Sequence, residues 1–315
     1  MAVPELPVLA IDVGGTKLAA AAVDRAGQLL ASDRIPTPRV ASADDLFEVL
    51  ADQCRRVLRA AETDVVAIGV GCGGPMEYPS GRVSTLNIPV WRDFPLRERL
   101  VTAFDRPCVV DNDANALALA EQWRGAGRGS TNMLGMVVST GVGGGIILEG
   151  HLLHGFGGNA GHIGHIVAWP DGPPCRCGAR GCIEGVASGT GLARRLAAAH
   201  AEGAETRLQP GATAADIAVA ARQGDRLAAE LFRTAGECVG RGIASAAALL
   251  DLELVTIGGS IALHAWDLLG PPLLSELERS ARLDFTRNVR VVQAELGDAA
   301  GLYGAAMLAF RSLDS

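Results

Sequence analysis

The sequence predicts an α/β fold of two domains with a cleft between them, and three observations point there. At 315 residues the chain is too long for one ordinary core and long enough for two, each able to bury the apolar surface that folding requires. Its 49% hydrophobic and 20% charged residues, with 40 Gly and only 4% aromatic, match a globular α/β protein rather than a disordered or fibrous one. An apolar strand also runs straight into a Gly-Gly turn with a hydroxyl residue beside it in three separate places, at Thr16, Thr140 and Ser260.

Taken in order, Val8 to Val13 is an apolar run ending in Gly14-Gly15-Thr16, and Leu18 to Val23 follows directly, which predicts a β-hairpin turning on glycine. Asp44 to Ala61 has helical spacing, and the β-branched run Val65 to Val70 stops at Gly71-Cys72-Gly73-Gly74-Pro75. Pro107 to Val110 reads as a strand, with a helix from Ala114 to Trp123 opening just after Asn112 and Asp113. Further strands are expected at Met133 to Val138 and around Ile146 to Leu148, separated by a glycine cluster from Gly141 to Gly145. A loop-rich stretch, Gly155 to Gly185, precedes Ala-rich helices from Gly189 to Leu250. A strand from Leu254 to Ile257 then ends in Gly258-Gly259-Ser260, and a last helix covers Ala299 to Phe310. The motifs put the domain boundary near residue 112.

A net charge of -7 without a basic run argues against a nucleic-acid partner, because binding a phosphate backbone needs clustered Lys and Arg. No stretch of 18 apolar residues occurs, and Met1 to Pro7 lacks the basic and apolar segments of a leader, so a cytoplasmic protein away from membranes is expected. Of seven Cys, three crowd together at Cys175, Cys177 and Cys182 while Cys54, Cys72, Cys108 and Cys238 are scattered. That distribution predicts a metal site plus buried thiols, not a disulfide framework.

Glycine turns let backbone N–H groups approach an anion, so the strand-Gly-Gly-hydroxyl units are candidate phosphate cradles, although one alone is an ordinary hairpin turn. At the first, Asp12 adds a candidate Mg²⁺ partner and Lys17 a polar rim. The Walker pattern is absent, and Gly69 to Gly74 matches G-x-G-x-x-G, but Pro75 follows at once and no helix opens, so the segment is assigned to the substrate side. Asp113 stands where a strand gives way to a helix; it, or Asn112, suits an N-cap, and its carboxylate also suits a general base for an attacking hydroxyl. His165 with Cys175, Cys177 and Cys182 makes a Cys₃His set fit for a closed, structural Zn²⁺ that fixes the loop.

Together these segments resemble the ROK family of bacterial sugar kinases, repressors and open-reading-frame proteins, within the actin-like ATPase (ribonuclease H-like) superfamily. The likeness runs through Asp12 to Lys17, Asn112 to Ala116, Ser139 to Gly145, Gly161 to His165, the cysteine run with Gly181 to Glu184, and Gly258 to Ser260. It implies a small domain, 1–112 closed by 299–315, and a large domain, 113–298, carrying zinc. Asp113 matches the catalytic base on a sugar 6-hydroxyl, and Asn87 and Asn112 match residues bonding sugar hydroxyls. Gly74 and Gly145 fall on the sugar side. His165 would touch sugar through one ring nitrogen and zinc through the other, and Glu184 would lie near the anomeric end. Gly14, Gly15 and Thr16 with Thr140, Gly141, Gly143 and Gly144 would cradle the phosphates of ATP beside Lys17, with Gly258 and Gly259 against adenosine and Asp12 orienting Mg²⁺ through water.

One position departs from the glucokinase pattern, which has Glu where this chain has His162. Glu accepts bonds from hydroxyls near C1 and C2, whereas His can donate one to an amide carbonyl, and N-acetylmannosamine kinases resemble this chain in reading Ala-Gly-His-Ile-Gly-His. His162 pointing away or bonding backbone is the alternative. The expected activity is ATP-dependent 6-phosphorylation of a hexose, N-acetylmannosamine ahead of glucose, with amino sugars and cyclitols as further alternatives. A sugar-sensing transcriptional regulator is disfavoured because only Met1 to Pro7 precede the first strand, leaving no room for a recognition helix. Relatives of this kind suggest a homodimer or homotetramer.

Overall fold

The computed structural model describes residues 6–314; the terminal residues 1–5 and 315, which the expected domain spans include, lie outside it. In chain order the elements are β1 (Val8–Val13), β2 (Lys17–Val23), β3 (Leu29–Pro36), α1 (Ala43–Ala61), β4 (Ile68–Cys72), β5 (Met76–Glu77), β6 (Arg82–Val83), α2 (Leu96–Phe104), β7 (Cys108–Asn112) and α3 (Asp113–Arg124). They continue with β8 (Met133–Val138), β9 (Val142–Leu148), β10 (His151–Leu152), α4 (Ile183–Ala187), α5 (Gly189–Ala201), α6 (Ala214–Arg222) and α7 (Arg226–Leu250). Last come β11 (Leu254–Gly258), α8 (Ser260–His264), α9 (Trp266–Ser280), β12 (Arg290–Gln293) and α10 (Ala300–Asp314).

The chain divides into two compact units, one of residues 1–128, 154–160 and 298–315 and the other of residues 129–153 and 161–297. The first holds a five-stranded sheet ordered β3-β2-β1-β4-β7, antiparallel through the hairpin strands and parallel among β1, β4 and β7. Because successive strand residues face opposite sides, Leu9, Ile11 and Val13 pack with Leu46, Leu50 and Val57 of α1. Val8 and Ala10 turn to the other face, where they meet Ala305, Ala309 and Phe310 of α10. Alanine dominates that face, and its low profile lets α10 come close. An added Cβ at Gly69 would overlap the Ala305 carbonyl, and one at Gly304 the Ala116 carbonyl of α3.

The second unit repeats this plan, with a sheet ordered β10-β9-β8-β11-β12 whose β8, β11 and β12 are parallel. Leu134, Met136, Val255 and Ile257 pack against Val239 and Ile243 of α7 and Leu269 and Leu273 of α9. In each unit a hairpin opens the sheet and parallel strands follow through helical crossovers, so the β1–β2 and β8–β9 turns hold equivalent places.

One local expectation is corrected, and one strand was not anticipated. The glycine cluster is not a loop between strands: β9 begins at Val142, and Gly143, Gly144 and Gly145 pair with Val137, Met136 and Gly135 of β8. At Gly144 bareness serves packing, since an added Cβ would stand 3.0 Å from the side chains of Ile163 and Leu134 and 3.1 Å from the Gly161 carbonyl. β3 escaped prediction because it is an edge strand that alternates half-buried and exposed residues, with the polar Ser32, Asp33 and Arg34 at its middle. Gly304→Ala should lower stability by about 1–3 kcal/mol, because the α3–α10 crossing has no room for a methyl. Urea unfolding of the variant beside the parent checks this, and an unchanged midpoint would contradict the crossing.

Candidate functional site

In the first unit the hairpin turn, the 73–74 loop, the 85–88 loop and the head of α3 line a small cavity of about 50 Å³. Gly14, Gly15, Gly74, Asn87 and Asp113 all contribute to it, with Val13, Gly73, Thr85, Leu86 and Ile88. Asn87 reaches it because Gly15 has no side chain: a Cβ there would overlap the Asn87 Cβ. Its loop is held by Thr85 Oγ1 donating to the Ile88 carbonyl at 3.1 Å and by the fully buried Trp91, whose Nε1 donates to the Ala43 carbonyl at 3.2 Å.

The hairpin turn is tied back by its acceptors. Thr37 donates through Oγ1 to the Gly14 carbonyl at 2.7 Å and through its N–H to the Thr16 carbonyl at 3.0 Å. Two oxygens that would repel an anion are thereby engaged. Lys17 pairs with Asp298 at 3.3 Å, an exposed contact that anchors the chain just ahead of α10.

Three carboxylates stand close in sequence or space, in three environments. Asp12 packs against Gly301 of α10, and its pKa rises from 3.8 to about 6: burial is the largest cause, Lys17 opposes it and Asp113 adds to it. Asp111 is 1% exposed and both its oxygens are engaged: Oδ1 accepts from the Asn112 N–H at 2.6 Å and Asn115 Nδ2 at 2.8 Å, and Oδ2 from His154 Nε2 at 2.8 Å. Asp113 opens α3 on the cavity wall, while Asn112 is the N-cap, its Oδ1 accepting from the Ala114 N–H at 2.9 Å. The cap and the candidate base are therefore different residues.

In the second unit, two turns lie at the carboxyl ends of the adjacent parallel strands β8 and β11, where open α/β sheets bind ligands. Ser139 Oγ and Ser260 Oγ are 2.9 Å apart, joining the Thr140–Gly141 turn to Gly258–Gly259. Gly259 has φ 91°, a left-handed conformation that favours glycine. The Ser139 and Thr140 carbonyls are again engaged, by the Gly189 N–H at 2.8 Å and Thr190 Oγ1 at 2.9 Å. Glu184 of α4 accepts from the Val142 N–H at 3.1 Å, bracing the same turn.

The ligand atoms of His165, Cys175, Cys177 and Cys182 all lie within 4.8 Å of one another. Cys177 Sγ is 3.7 Å from Cys182 Sγ, and Cys175 Sγ 3.9 Å from His165 Nδ1. A zinc tetrahedron with sulfur bonds of about 2.3 Å has edges of about 3.8 Å, so this set fits a four-coordinate ion. Burial first and the neighbouring sulfurs next push Cys182 up to about 12, a clustering of thiols that a cation relieves. His162 precedes this cluster, its ring 6.3 Å from that of His165.

Residues 8–312 match the ROK family. The chain belongs to it. The glucokinase of Halalkalibacterium halodurans is 37% identical over 309 residues, which cover 95% of this chain and 93% of the relative. The N-acetylmannosamine kinase of Yersinia pseudotuberculosis serotype O:1b is 37% identical over 314 residues, 97% of this chain and 99% of the relative. The crystal structure of a ROK family glucokinase from Streptomyces griseus in complex with glucose and AMPPNP matches with a TM-score of 0.78 at 34% identity, over 97% of this chain and 99% of that one. The fold is accordingly the two-domain actin-like ATPase fold.

Within this ROK protein the sequence singled out Asp113 but missed Asp111 and His154. Asp111 reads as the polar end of a strand and His154 as one of several His in a glycine-rich stretch; neither has a local pattern that names its partner. No helix among the described residues is long and apolar enough to cross a membrane.

The raised Asp12 sets a pH dependence. The folded chain holds this proton up to about pH 6 while the unfolded chain releases it near 3.8, so the stability it contributes is full below 3.8 and lost as pH rises through about 6. Asp12→Asn should therefore melt above the parent near neutral pH, with the gain shrinking toward about pH 4. Thermal melts across that range test it; a gain independent of pH would contradict the titration.

Proposed function

We propose that this ROK protein is an ATP-dependent sugar kinase acting on the 6-hydroxyl of a hexose, N-acetylmannosamine ahead of glucose. The observation that carries the proposal is the division between two aspartates two residues apart. Asp111 is sequestered with both oxygens engaged, whereas Asp113 lines the cavity with Asn87, Gly74 and the glycine turn. Names of the relatives add support, since glucokinase and N-acetylmannosamine kinase are equally near at 37% identity.

MgATP supplies the phosphoryl group and leaves as MgADP. Asp113 accepts the proton of the 6-hydroxyl as that oxygen bonds to the γ-phosphorus, and an ordinary carboxylate suffices because the transition state is loose. Asn87 and Asn112 orient sugar hydroxyls. The Gly14–Thr16, Thr140–Gly141 and Gly258–Gly259 turns offer backbone donors to polyphosphate and nucleoside, with their outward carbonyls tied back where Thr37, Gly189 and Thr190 engage them. Gly143, Gly144 and Gly145 contribute through the strand that supports the second turn. Asp12 would accept a hydrogen bond from water on a bound Mg²⁺, whose charge would favour its ionised form. His162 is assigned to the 2-substituent, where an imidazole N–H meets an N-acyl carbonyl, and Glu184 to the anomeric side.

Asp113→Asn should lower kcat by about a thousandfold with sugar affinity held within a few-fold. ADP-release kinetics and calorimetric titration measure the two, and near-normal turnover would remove Asp113 from the role of base. Run on glucose, mannose, N-acetylglucosamine and N-acetylmannosamine, the same assay ranks the sugars. A glucose preference of about tenfold or more would overturn the assignment of His162, since one hydrogen bond is worth that much.

Structural zinc at His165, Cys175, Cys177 and Cys182 predicts about one zinc per chain by elemental analysis. Cys177→Ser or chelation should then lower both the melting temperature and the sugar affinity. Metal-free protein with unchanged melting and affinity would refute the role.

A further inference from the structure

The buried carboxylate next to the candidate base is tied to a segment more than forty residues ahead in the sequence. His154 Nε2 donates to Asp111 Oδ2 at 2.8 Å, and its ring stacks on Tyr78 with centroids 3.9 Å apart and planes 14° from parallel. Gly158 presses on the same tyrosine, where an added Cβ would stand 2.5 Å from the Tyr78 Cβ. Residues 154–160 thus belong to the first unit, although the chain on both sides of them belongs to the second.

The bonds to Asp111 are not scattered. Oδ1 takes the Asn112 N–H, the amide that enters α3 immediately before Asp113, and Asn115 Nδ2 one turn further along that helix. Oδ2 takes His154 Nε2. A carboxylate this buried is held by its donors. With His154 gone, the group must rotate or draw in water to satisfy Oδ2, and rotation pulls Oδ1 from the Asn112 amide at 2.6 Å. The N-cap backbone then relaxes, and the side chain one residue later moves with it.

We infer that His154 is a positioning residue: through Asp111 it fixes the Asn112 amide and hence the aim of the Asp113 carboxylate. This rests on Asp113 being the base, and it extends the support of that role to a residue outside the lining of the Asp113 cavity.

The test uses the full chain with His154→Phe, which keeps a ring on Tyr78 and removes the donor, and His154→Gln, which restores a donor amide. The phenylalanine variant should lose about tenfold in kcat with the sugar KM within about twofold, and glutamine should recover turnover to within about threefold of the parent. Hydrogen exchange at the Asn112 and Ala114 amides should quicken in the phenylalanine variant and return toward the parent rate in the glutamine variant. Unchanged exchange overturns the anchor. Faster exchange with kcat within twofold of the parent overturns the positioning role, as does a glutamine variant as impaired as phenylalanine. Should His154→Phe not fold, Asp111→Ala is read by the same two measurements. If the parent phosphorylates no sugar, the kinase proposal fails by itself while the exchange rates still decide the anchor.

Discussion

Side chains and neighbouring main chain lie directly against bare glycine backbone at several points in this protein, and the candidate site is assembled with the help of those contacts. Gly15 admits Asn87, Gly69 and Gly304 admit α10 and α3, and Gly301 receives the Asp12 carboxylate. Each contact is closer than a methyl group allows. The α10 crossing is the most consequential, because it buries Asp12 and covers the alanine-rich face of the first sheet. Hydrophobic burial supplies the adhesion there, but the distance is set by what is missing from the side chains.

The repeated sheet plan explains why similar turns occur at separated points in the chain. β1–β2 and β8–β9 are equivalent hairpins opening equivalent sheets, so Gly14–Thr16 and Thr140–Gly141 fall at matching strand ends. In both, carbonyl oxygens are engaged from outside the hairpin, by Thr37 in one and by the start of α5 in the other. The third turn belongs to a different connection: β11 runs through Gly258 and Gly259 into α8, and its place beside the second turn follows from the parallel pairing of β8 with β11.

Electrostatics separates three carboxylates that composition alone treats alike. Burial outweighs Lys17 at Asp12 and holds its proton to about pH 6. Asp111 is more deeply buried, yet it receives charge-assisted bonds from three donors. Asp113 begins α3, where the amino end of a helix favours a negative charge. Depth decides the state of Asp12, and the neighbouring donors decide that of Asp111.

The elements and sites legible in the sequence were those with a self-contained local pattern. The β1–β2 hairpin, an N-cap at Asn112 or Asp113 and the close-spaced cysteines each need only a few adjacent residues, so their chemistry was readable in order, and the structure chose Asn112 as the cap. The edge strand β3 and the strand character of Gly143 to Gly145 were hidden, since a half-exposed polar run and a glycine run both read as loop until a partner strand is present. Which of Asp111 and Asp113 is sequestered depended on His154, and which glycine turns meet depended on strand order. Sequence by itself determined the residue types able to bind anion, metal and proton. Tertiary structure decided which of them share a surface, because pairing between distant segments is set by packing and leaves no period in the chain to read.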